Sequence, residues 1–355
     1  MIDSLFTPLT LGSLRLRNRI IMAPMTRSRA APGAMPTQLM AEYYSQRSSA
    51  GLIITEGIAP SANGIGYCRT PGIYTDEQQA AWAQVVDAVH DKGGVVVAQI
   101  MHCGRIGHAL NKPEHSELVA PSAVAARGEM YTDAEGMQPF AAPRALSRKD
   151  IAETVDEYAA ATARAYAAGF DGVELHCTSG YLPAQFLCTG SNRREDEYGG
   201  SVQNRVRFPL EVLRAMADVD GPGRVGFRIA PDNRFNDVYD EDPRDTFAAF
   251  LAGARELNLA YLHSIRMPEG RVDNLQIAKD HFPGQVIANE SYTATEAAQA
   301  IDAGIADAVS FGRSFIANPD LVDRFWRDKP LTDTDFSTLY TPGARGYTDY
   351  PTLGA

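Results

Sequence analysis

A repeated unit of a short apolar segment, a turn and an amphipathic helix restricts the fold of this 355-residue chain more than any other feature. The helix expected after Thr75 is one example, because Thr75 and Gln78 have capping-box spacing and apolar residues follow at helical intervals until Gly93. The segments with strand character cover residues 20–23, 52–56, 95–99, 173–176, 225–229, 261–264, 285–288 and 308–311. Eight strands alternating with helices predict an α/β fold, namely a closed parallel (β/α)8 or TIM barrel.

An open doubly wound sheet is the alternative arrangement of such units, but no G-x-G-x-x-G follows the first strand. Two segments do not fit the repeat. Residues 101–146 are rich in Gly, Pro, His and charge and predict an excursion that covers the barrel mouth, whereas residues 329–355 predict a tail that wraps the surface. Because no linker is visible, we expect residues 1–355 to form a single domain.

The charge balance and the cysteines limit the partners. The chain has 33 Lys and Arg against 44 Asp and Glu, and its net charge of −11 argues against nucleic acid or an anionic membrane surface. The densest apolar run, residues 95–101, is too short to span a bilayer, and no secretory signal begins the sequence, so we expect a cytoplasmic protein. The four cysteines form no CxxC pair, and His102, Cys103 and His108 lack zinc-site spacing, so no metal is expected.

Polar residues recur at the ends of the predicted strands, where the functional residues of such barrels lie. They are Thr26, Glu56, Gln99, His176, Arg228 and Arg313. Gly312 and Arg313 open a helix after the eighth strand, which is typical of a phosphate site because glycine permits close backbone approach and arginine supplies a forked cation. A plain turn with a surface arginine is the alternative. Together, these strand-end residues predict a single ligand that spans the barrel mouth.

A histidine and a tyrosine lie five residues apart after the fourth strand. A His176 N–H could polarise a carbonyl, and the Tyr181 hydroxyl could deliver a proton. A lone histidine is more often structural, so the spacing alone leaves both interpretations open.

Several stretches resemble the Old Yellow Enzyme family, and the resemblance covers nearly the whole chain. They read LRLRNRIIMAPMTR (14–27), AEYYSQRSSAGLIITE (41–56), DEYGGSVQNR (196–205), SFGR (310–313) and GYTDYP (346–351). The last resembles the bacterial N-ethylmaleimide-reductase branch. The resemblance implies an FMN cofactor over the barrel mouth. The cofactor contacts that it implies are Pro24, Met25, Thr26, Gly57, Gln99, Arg228, Ser291, Gly312 and Arg313.

The resemblance also implies NAD(P)H-driven reduction of alkenes activated by a carbonyl, imide or nitro group. His176 would bind the activating oxygen and Tyr181 would protonate the substrate. Ser179 departs from the family, which has histidine or asparagine there, and predicts either weaker activation of simple enones or a site suited to a differently placed oxygen. Met101 stands where tryptophan is common, which predicts either a roomier pocket or repacking against neighbours in the covering excursion. The other residues aligned with substrate-side positions are Tyr67, Asn236 and Tyr347.

Other functions remain as alternatives. The Ser179 departure is compatible with a non-redox isomerase or a specialised biosynthetic reductase on the same flavin barrel. A flavin-binding protein that has lost activity is a further alternative, against which the presence of His176 and Tyr181 argues. A Schiff-base lyase is disfavoured, because none of the five lysines lies at a strand end. The expected partners are small molecules, and the expected assembly is a monomer or a homodimer.

Overall fold

The computed structural model describes residues 2–354, and its centre is a closed barrel of eight parallel strands. The strands in chain order are β1 (Leu9–Leu11), β2 (Leu14–Leu16), β3 (Ile20–Met22), β4 (Leu52–Ile54), β5 (Val96–Ile100), β6 (Val119–Ala120), β7 (Glu129–Thr132), β8 (Gly136–Pro139), β9 (Arg144–Ala145), β10 (Gly172–His176), β11 (Val225–Ile229), β12 (Tyr261–Ile265), β13 (Val286–Asn289) and β14 (Ala308–Phe311). The barrel runs β3–β4–β5–β10–β11–β12–β13–β14, and β14 pairs with β3. The predicted barrel is confirmed, and the open sheet is excluded.

Helices surround the barrel. They are α1 (Gln38–Gln46), α2 (Asp76–His90), α3 (Arg148–Ala167), α4 (Leu182–Leu187), α5 (Val202–Arg205), α6 (Arg207–Asp220), α7 (Pro243–Arg255), α8 (Asn274–His281), α9 (Ala294–Asp302), α10 (Arg313–Ala317) and α11 (Leu321–Trp326). Capping boxes begin α2, α3 and α9 at Thr75, Ser147 and Thr293. The barrel strands are buried at every position, which explains why their sequences are largely apolar. None of these helices, within residues 2–354, is long and apolar enough to cross a membrane.

An antiparallel hairpin of β1 and β2 closes one end of the barrel. Leu11, Leu14 and Leu16 are buried there against inward residues at the starts of the barrel strands, such as Leu52 and Val97. Because the hairpin fills the amino-terminal end of the strands, only the carboxyl end is left to admit a ligand.

The excursion of residues 101–146 contains two small sheets, a parallel pair of β6 and β9 and a hairpin of β7 and β8. Met101, Ile106 and Met130 form an apolar cluster that also contains Tyr181, from the loop after β10. The excursion therefore packs against a loop at the carboxyl end of the barrel, where the catalytic residues are expected.

The carboxyl-terminal tail is held by buried arginines. Arg27, which follows β3, donates from Nη2 to the carbonyl oxygen of Gly346 at 2.7 Å, and Arg29 donates from Nη2 to that of Thr338 at 2.9 Å. Both guanidinium groups are almost wholly buried. The tail is thus fixed beside the loop after β3, and parts of it reach the barrel mouth.

Candidate active site

A cavity of about 350 Å³ lies at the carboxyl ends of β3, β11, β13 and β14. It brings together seven of the predicted cofactor residues: Pro24, Met25, Thr26, Arg228, Ser291, Gly312 and Arg313. A larger groove of about 690 Å³ lies outside the barrel between α8 and α9, and it contains none of the predicted residues. We therefore place the functional site at the smaller cavity, because it unites strand ends that are far apart in sequence.

One end of this cavity carries the groups expected to bind phosphate. Arg313, directly after β14, donates from Nη2 to the Ser291 hydroxyl oxygen at 2.6 Å. The same nitrogen lies 2.6 Å from Glu290 Oε1. Gly312 precedes Arg313, and an added β-carbon there would crowd the Met25 sulfur at 3.3 Å, so a residue without a side chain suits this position. These residues fit an anionic group held between β13 and β14.

The other end contains Arg228, which is nearly buried at the end of β11. Its Nη2 donates to Asn289 Oδ1 at 2.5 Å, whereas its Nε has no hydrogen-bond partner among residues 2–354. A buried guanidinium N–H without a partner is costly. Since Arg228 lines the cavity, this N–H fits a ligand with hydrogen-bond acceptors, such as the pyrimidine edge of a flavin.

A hydrogen-bonded chain inside the barrel fixes Gln99. Gln99 Nε2 donates to Glu174 Oε1 at 2.8 Å, and Glu174 Oε2 lies 3.0 Å from His263 Nδ1. His263 Nε2 in turn lies 2.8 Å from the Ser310 hydroxyl oxygen. Because a carboxylate only accepts hydrogen bonds, Gln99 must turn its amino group towards Glu174, which leaves its oxygen as the free acceptor.

Four of the side chains expected on the substrate side also form a cluster. The ring centroids of His176 and Tyr181 are 5.1 Å apart, and the Tyr181 hydroxyl donates to the Tyr67 hydroxyl at 3.0 Å. Asn236 Nδ2 reaches the Tyr67 hydroxyl at 3.5 Å. His176 is the register partner of Arg228 on the adjacent strand, so this cluster adjoins the cavity.

The protonation states of His176 and Tyr181 follow from their burial. Burial, and then the nearby positive charge of Arg228, lower the pKa of His176 well below its ordinary value, so the imidazole is neutral. Its Nδ1 has no hydrogen-bond partner within the described part of the chain. Burial raises the pKa of Tyr181 well above its ordinary value, so the phenol keeps its proton. The pair can therefore offer one neutral imidazole and one protonated hydroxyl to a ligand.

Ser179 lies in the same loop but does not line the 350 Å³ cavity. It has a left-handed backbone with φ of 55°, and its carbonyl oxygen accepts from Asn236 Nδ2 at 2.8 Å. It borders a much smaller cavity, of about 10 Å³, behind the loop. Met101 is buried and covers Gly57, since a β-carbon on Gly57 would collide with the Met101 side chain.

The expected substrate contact of Tyr347 is wrong in this structure. Tyr347 is fully buried and stacks on Tyr43 with ring centroids 3.9 Å apart, away from the cavity. Another tail tyrosine, Tyr340, lines the cavity instead and is 59% exposed. The irregular tail has no periodicity, so its sequence could not show which tyrosine faces the mouth.

Asn289, Glu290 and the buried pair Glu174 and His263 are further site residues that the motifs did not reveal. Glu174 and His263 alternate with apolar residues within predicted strands, and a charged residue in a buried strand was the only available signal. Within residues 2–354, no three His, Cys, Asp or Glu side chains are close enough to hold a metal ion, and all four cysteines are free thiols.

The sequence and the fold match known flavoenzymes. The NADH:flavin oxidoreductase / NADH oxidase family matches residues 4–331. A probable flavin mononucleotide-dependent alkene reductase of Leishmania infantum is 43% identical over 358 residues, which cover 99% of this chain and 98% of the relative. The structure of morphinone reductase in complex with tetrahydroNAD superposes with a TM-score of 0.93 at 46% identity, covering 98% of this chain and 97% of that one. An old yellow enzyme homologue from Zymomonas mobilis superposes at 0.94 with 39% identity, covering 99% and 100%.

The chain therefore belongs to the NADH:flavin oxidoreductase / NADH oxidase family, the Old Yellow Enzyme family that its motifs resemble. It is an FMN-dependent oxidoreductase of the alkene-reductase class, and a reduced nicotinamide nucleotide is its electron source. The expected cofactor and class of reaction are confirmed. Placement in the N-ethylmaleimide-reductase branch stays a prediction.

Proposed function

We propose that His176 and Tyr181 carry out the reduction of bulky, largely apolar alkenes activated by a carbonyl group. The observation that carries this proposal is the pairing of a neutral imidazole, with a free ring nitrogen, and a protonated phenol 5.1 Å away, beside the buried Arg228. When bound, FMN supplies the redox step by taking a hydride from NAD(P)H and passing it to the alkene. The protein must hold the flavin and the alkene and provide the proton.

The proposed flavin contacts form two groups, one for the pyrimidine edge and one for the phosphate. Arg228 offers a cationic N–H and Gln99 a carbonyl oxygen, which complement the acceptors and the N–H of a pyrimidine edge. The Arg228 guanidinium would stabilise negative charge on that edge of the reduced cofactor. Pro24, Met25 and Thr26 border the same cavity after β3. Arg313, Gly312 and the Ser291 backbone form the proposed phosphate site.

The proposed substrate contacts also have two roles, binding of the activating oxygen and donation of the proton. The neutral His176 donates a hydrogen bond to the activating oxygen, which draws electron density from the double bond. Tyr181 then gives its proton to the α-carbon. The Tyr67 hydroxyl accepts from Tyr181 and can donate in turn, so it orients the acid, and Asn236 lies beside it. No metal takes part in this proposal.

The proposed substrate size rests on the cluster around Tyr181. Met101, Ile106, Met130 and Tyr67 pack around Tyr181 in one apolar cluster, and methionines adapt to irregular shapes. Relatives include 12-oxophytodienoate reductase 7 of Oryza sativa subsp. japonica and chanoclavine-I aldehyde reductase fgaOx3 of Penicillium roqueforti (strain FM164). Their names denote an oxo-dienoate and an aldehyde, which supports an enone or enal as the substrate here.

Anaerobic stopped-flow absorbance tests the roles of the residues. We expect NADPH or NADH to bleach the flavin band, and 2-cyclohexenone or a bulkier enone to restore it. In Tyr181→Phe the bleaching should keep its rate, whereas recovery should slow by about 10² to 10⁴, the usual contribution of a positioned acid. Equal slowing of both steps, or of neither, would contradict the assignment. Turnover without net NAD(P)H consumption would instead favour the isomerase.

The setting of the enzyme is part of the proposal. We place it in the cytoplasm, as a monomer or homodimer that acts on small molecules without nucleic acid or membrane partners. The net charge of −11 supports this, because it opposes binding to polyanions. Light scattering coupled to size-exclusion chromatography measures the assembly, and a larger oligomer would contradict it.

A further inference from the structure

The turn after β13 has an unusual backbone. Glu290 has φ of 90° and Ser291 has φ of 53°, so two consecutive residues other than glycine are left-handed. Glutamate adopts this region rarely, and such residues persist only where the surroundings hold them. Strain of this kind at the mouth of a cavity indicates a function for the turn.

Arg266 holds this turn from outside the cavity. Its Nε donates to the carbonyl oxygen of Glu290 at 2.7 Å, and its Nη2 donates to that of Ser291 at 2.6 Å. Arg266 lines the outer groove between α8 and α9 and not the cavity at the mouth. Because the N–H of each peptide points opposite to its carbonyl, the amides of Ser291 and Tyr292 are directed away from Arg266.

The Glu290 side chain meets the groups that form the proposed phosphate site. Its Oε1 lies 2.6 Å from Arg313 Nη2 and accepts from the Ser291 hydroxyl at 2.7 Å. Burial raises the pKa of Glu290, but Ser291, Arg313 and Arg228 together lower it below its ordinary value, so the group is a carboxylate at neutral pH. The Glu290 carboxylate therefore already pairs with Arg313, the cation that a phosphate would need.

We propose that Glu290 competes with the phosphate of FMN for Arg313, and thereby sets how strongly the protein prefers FMN over flavins without a phosphate. This inference rests on the proposed phosphate site. A phosphate dianion and a carboxylate repel each other at one guanidinium, so the Glu290 side chain must turn away when FMN binds. Riboflavin carries no phosphate and leaves the Glu290–Arg313 pair in place.

Titration of flavin-depleted, full-length protein with FMN and with riboflavin separates the phosphate from the rest of the flavin. In Glu290→Gln we expect the Kd of FMN, measured by flavin fluorescence, to fall about tenfold, which is the scale of one charge-assisted hydrogen bond. The Kd of riboflavin should not change. Glu256→Gln is the matched control, because Glu256 is exposed and pairs with Arg255 after α7, and neither Kd should change.

Further variants distinguish the possible failures. Arg313→Ala should raise the Kd of FMN at least about tenfold and leave that of riboflavin unchanged, and an unchanged FMN affinity would overturn the phosphate site itself. If Arg313→Ala weakens FMN binding but Glu290→Gln does not tighten it, the competition is overturned and the phosphate site stands. Should Glu290→Gln not fold, Glu290→Gly removes the same charge, relieves the φ of 90°, and carries the same expectation.

Discussion

At the scale of single residues, the surroundings of Arg228 combine its positive charge, the negative charge of Glu174 and the neutral His176. Arg228 remains a cation, although burial lowers its pKa. Burial alone would raise the pKa of Glu174, but His263, Arg228 and Gln99 outweigh it and lower the pKa below its ordinary value. Burial keeps His176 neutral. The Arg228 charge that faces the flavin is therefore partly balanced by a carboxylate within the barrel.

Glu174→Gln tests this balance. With the carboxylate gone, Arg228 stabilises the reduced flavin more strongly, so we expect the midpoint potential of bound FMN to rise by roughly 30 mV, equivalent to about 1.4 kcal/mol for two electrons. Redox titration against reference dyes measures it. Asp240→Asn is the control: Asp240 is another buried carboxylate, 3.4 Å from Arg205 Nη2, and its loss should not shift the potential. An unchanged or lower potential in Glu174→Gln would disprove the balance.

Ser179→Asn tests the departure from the family. Asparagine tolerates the left-handed φ of 55° better than serine does, so the replacement should not strain the loop. Its longer side chain can add a second donor near His176, and we expect kcat/KM for 2-cyclohexenone to rise about tenfold. Steady-state kinetics on the folded variant give the answer. No gain, or a loss, would show that the missing donor does not limit activation.

At the scale of elements, the sequence predicted those structures whose signals are local. Thr75, Ser147 and Thr293 do cap helices, because each box needs only a partner three residues away. The predicted strands 225–229 and 308–311 have the observed bounds. The β1–β2 hairpin was not predicted, since Leu11 and Leu14 are buried only by barrel strands that are distant in sequence.

The two tail tyrosines provide a matched test of the element that reaches the site. Tyr340 lines the cavity and is largely exposed, so Tyr340→Ala should raise the KM for a bulky enone several-fold and leave the melting temperature nearly unchanged. Tyr347 is buried, and its hydroxyl has no hydrogen-bond partner in the described chain, so Tyr347→Phe should keep both KM and stability. Steady-state kinetics measure the KM of both variants, and thermal denaturation measures their melting temperatures. A KM effect confined to Tyr347→Phe would restore the original assignment.

At the scale of the whole molecule, Glu56 joins segments that are far apart in the chain. The carboxyl group follows β4, accepts from the backbone N–H of Arg27 at 3.3 Å, and accepts from the Tyr44 hydroxyl on α1 at 3.2 Å. Arg27 in turn holds the tail through Gly346. Burial raises the pKa of Glu56 to about 7, despite the opposing hydrogen bonds from Arg27 and Tyr44. The ionisation of Glu56 should therefore make the stability of this junction between barrel, α1 and tail depend on pH.

The sign of this linkage follows from the proton count. Between the ordinary pKa of 4.5 and the folded value of about 7, the native state binds more protons than the unfolded state. The contribution of Glu56 to stability is therefore fully present below pH 4.5 and is lost as the pH rises through 7, by on the order of 3 kcal/mol.

Glu56→Gln cannot ionise and should remove this part of the pH dependence. We expect the free energy of unfolding in urea to fall less between pH 5 and pH 8 in the variant than in the wild type, whatever the absolute stability of the variant. The Glu256→Gln control should keep the wild-type slope, because the Glu256 side chain is exposed to solvent and pairs only with Arg255. Parallel curves for the wild type and Glu56→Gln would mean that Glu56 ionises freely in the folded protein, and that other groups govern how the junction of barrel, helix and tail responds to pH.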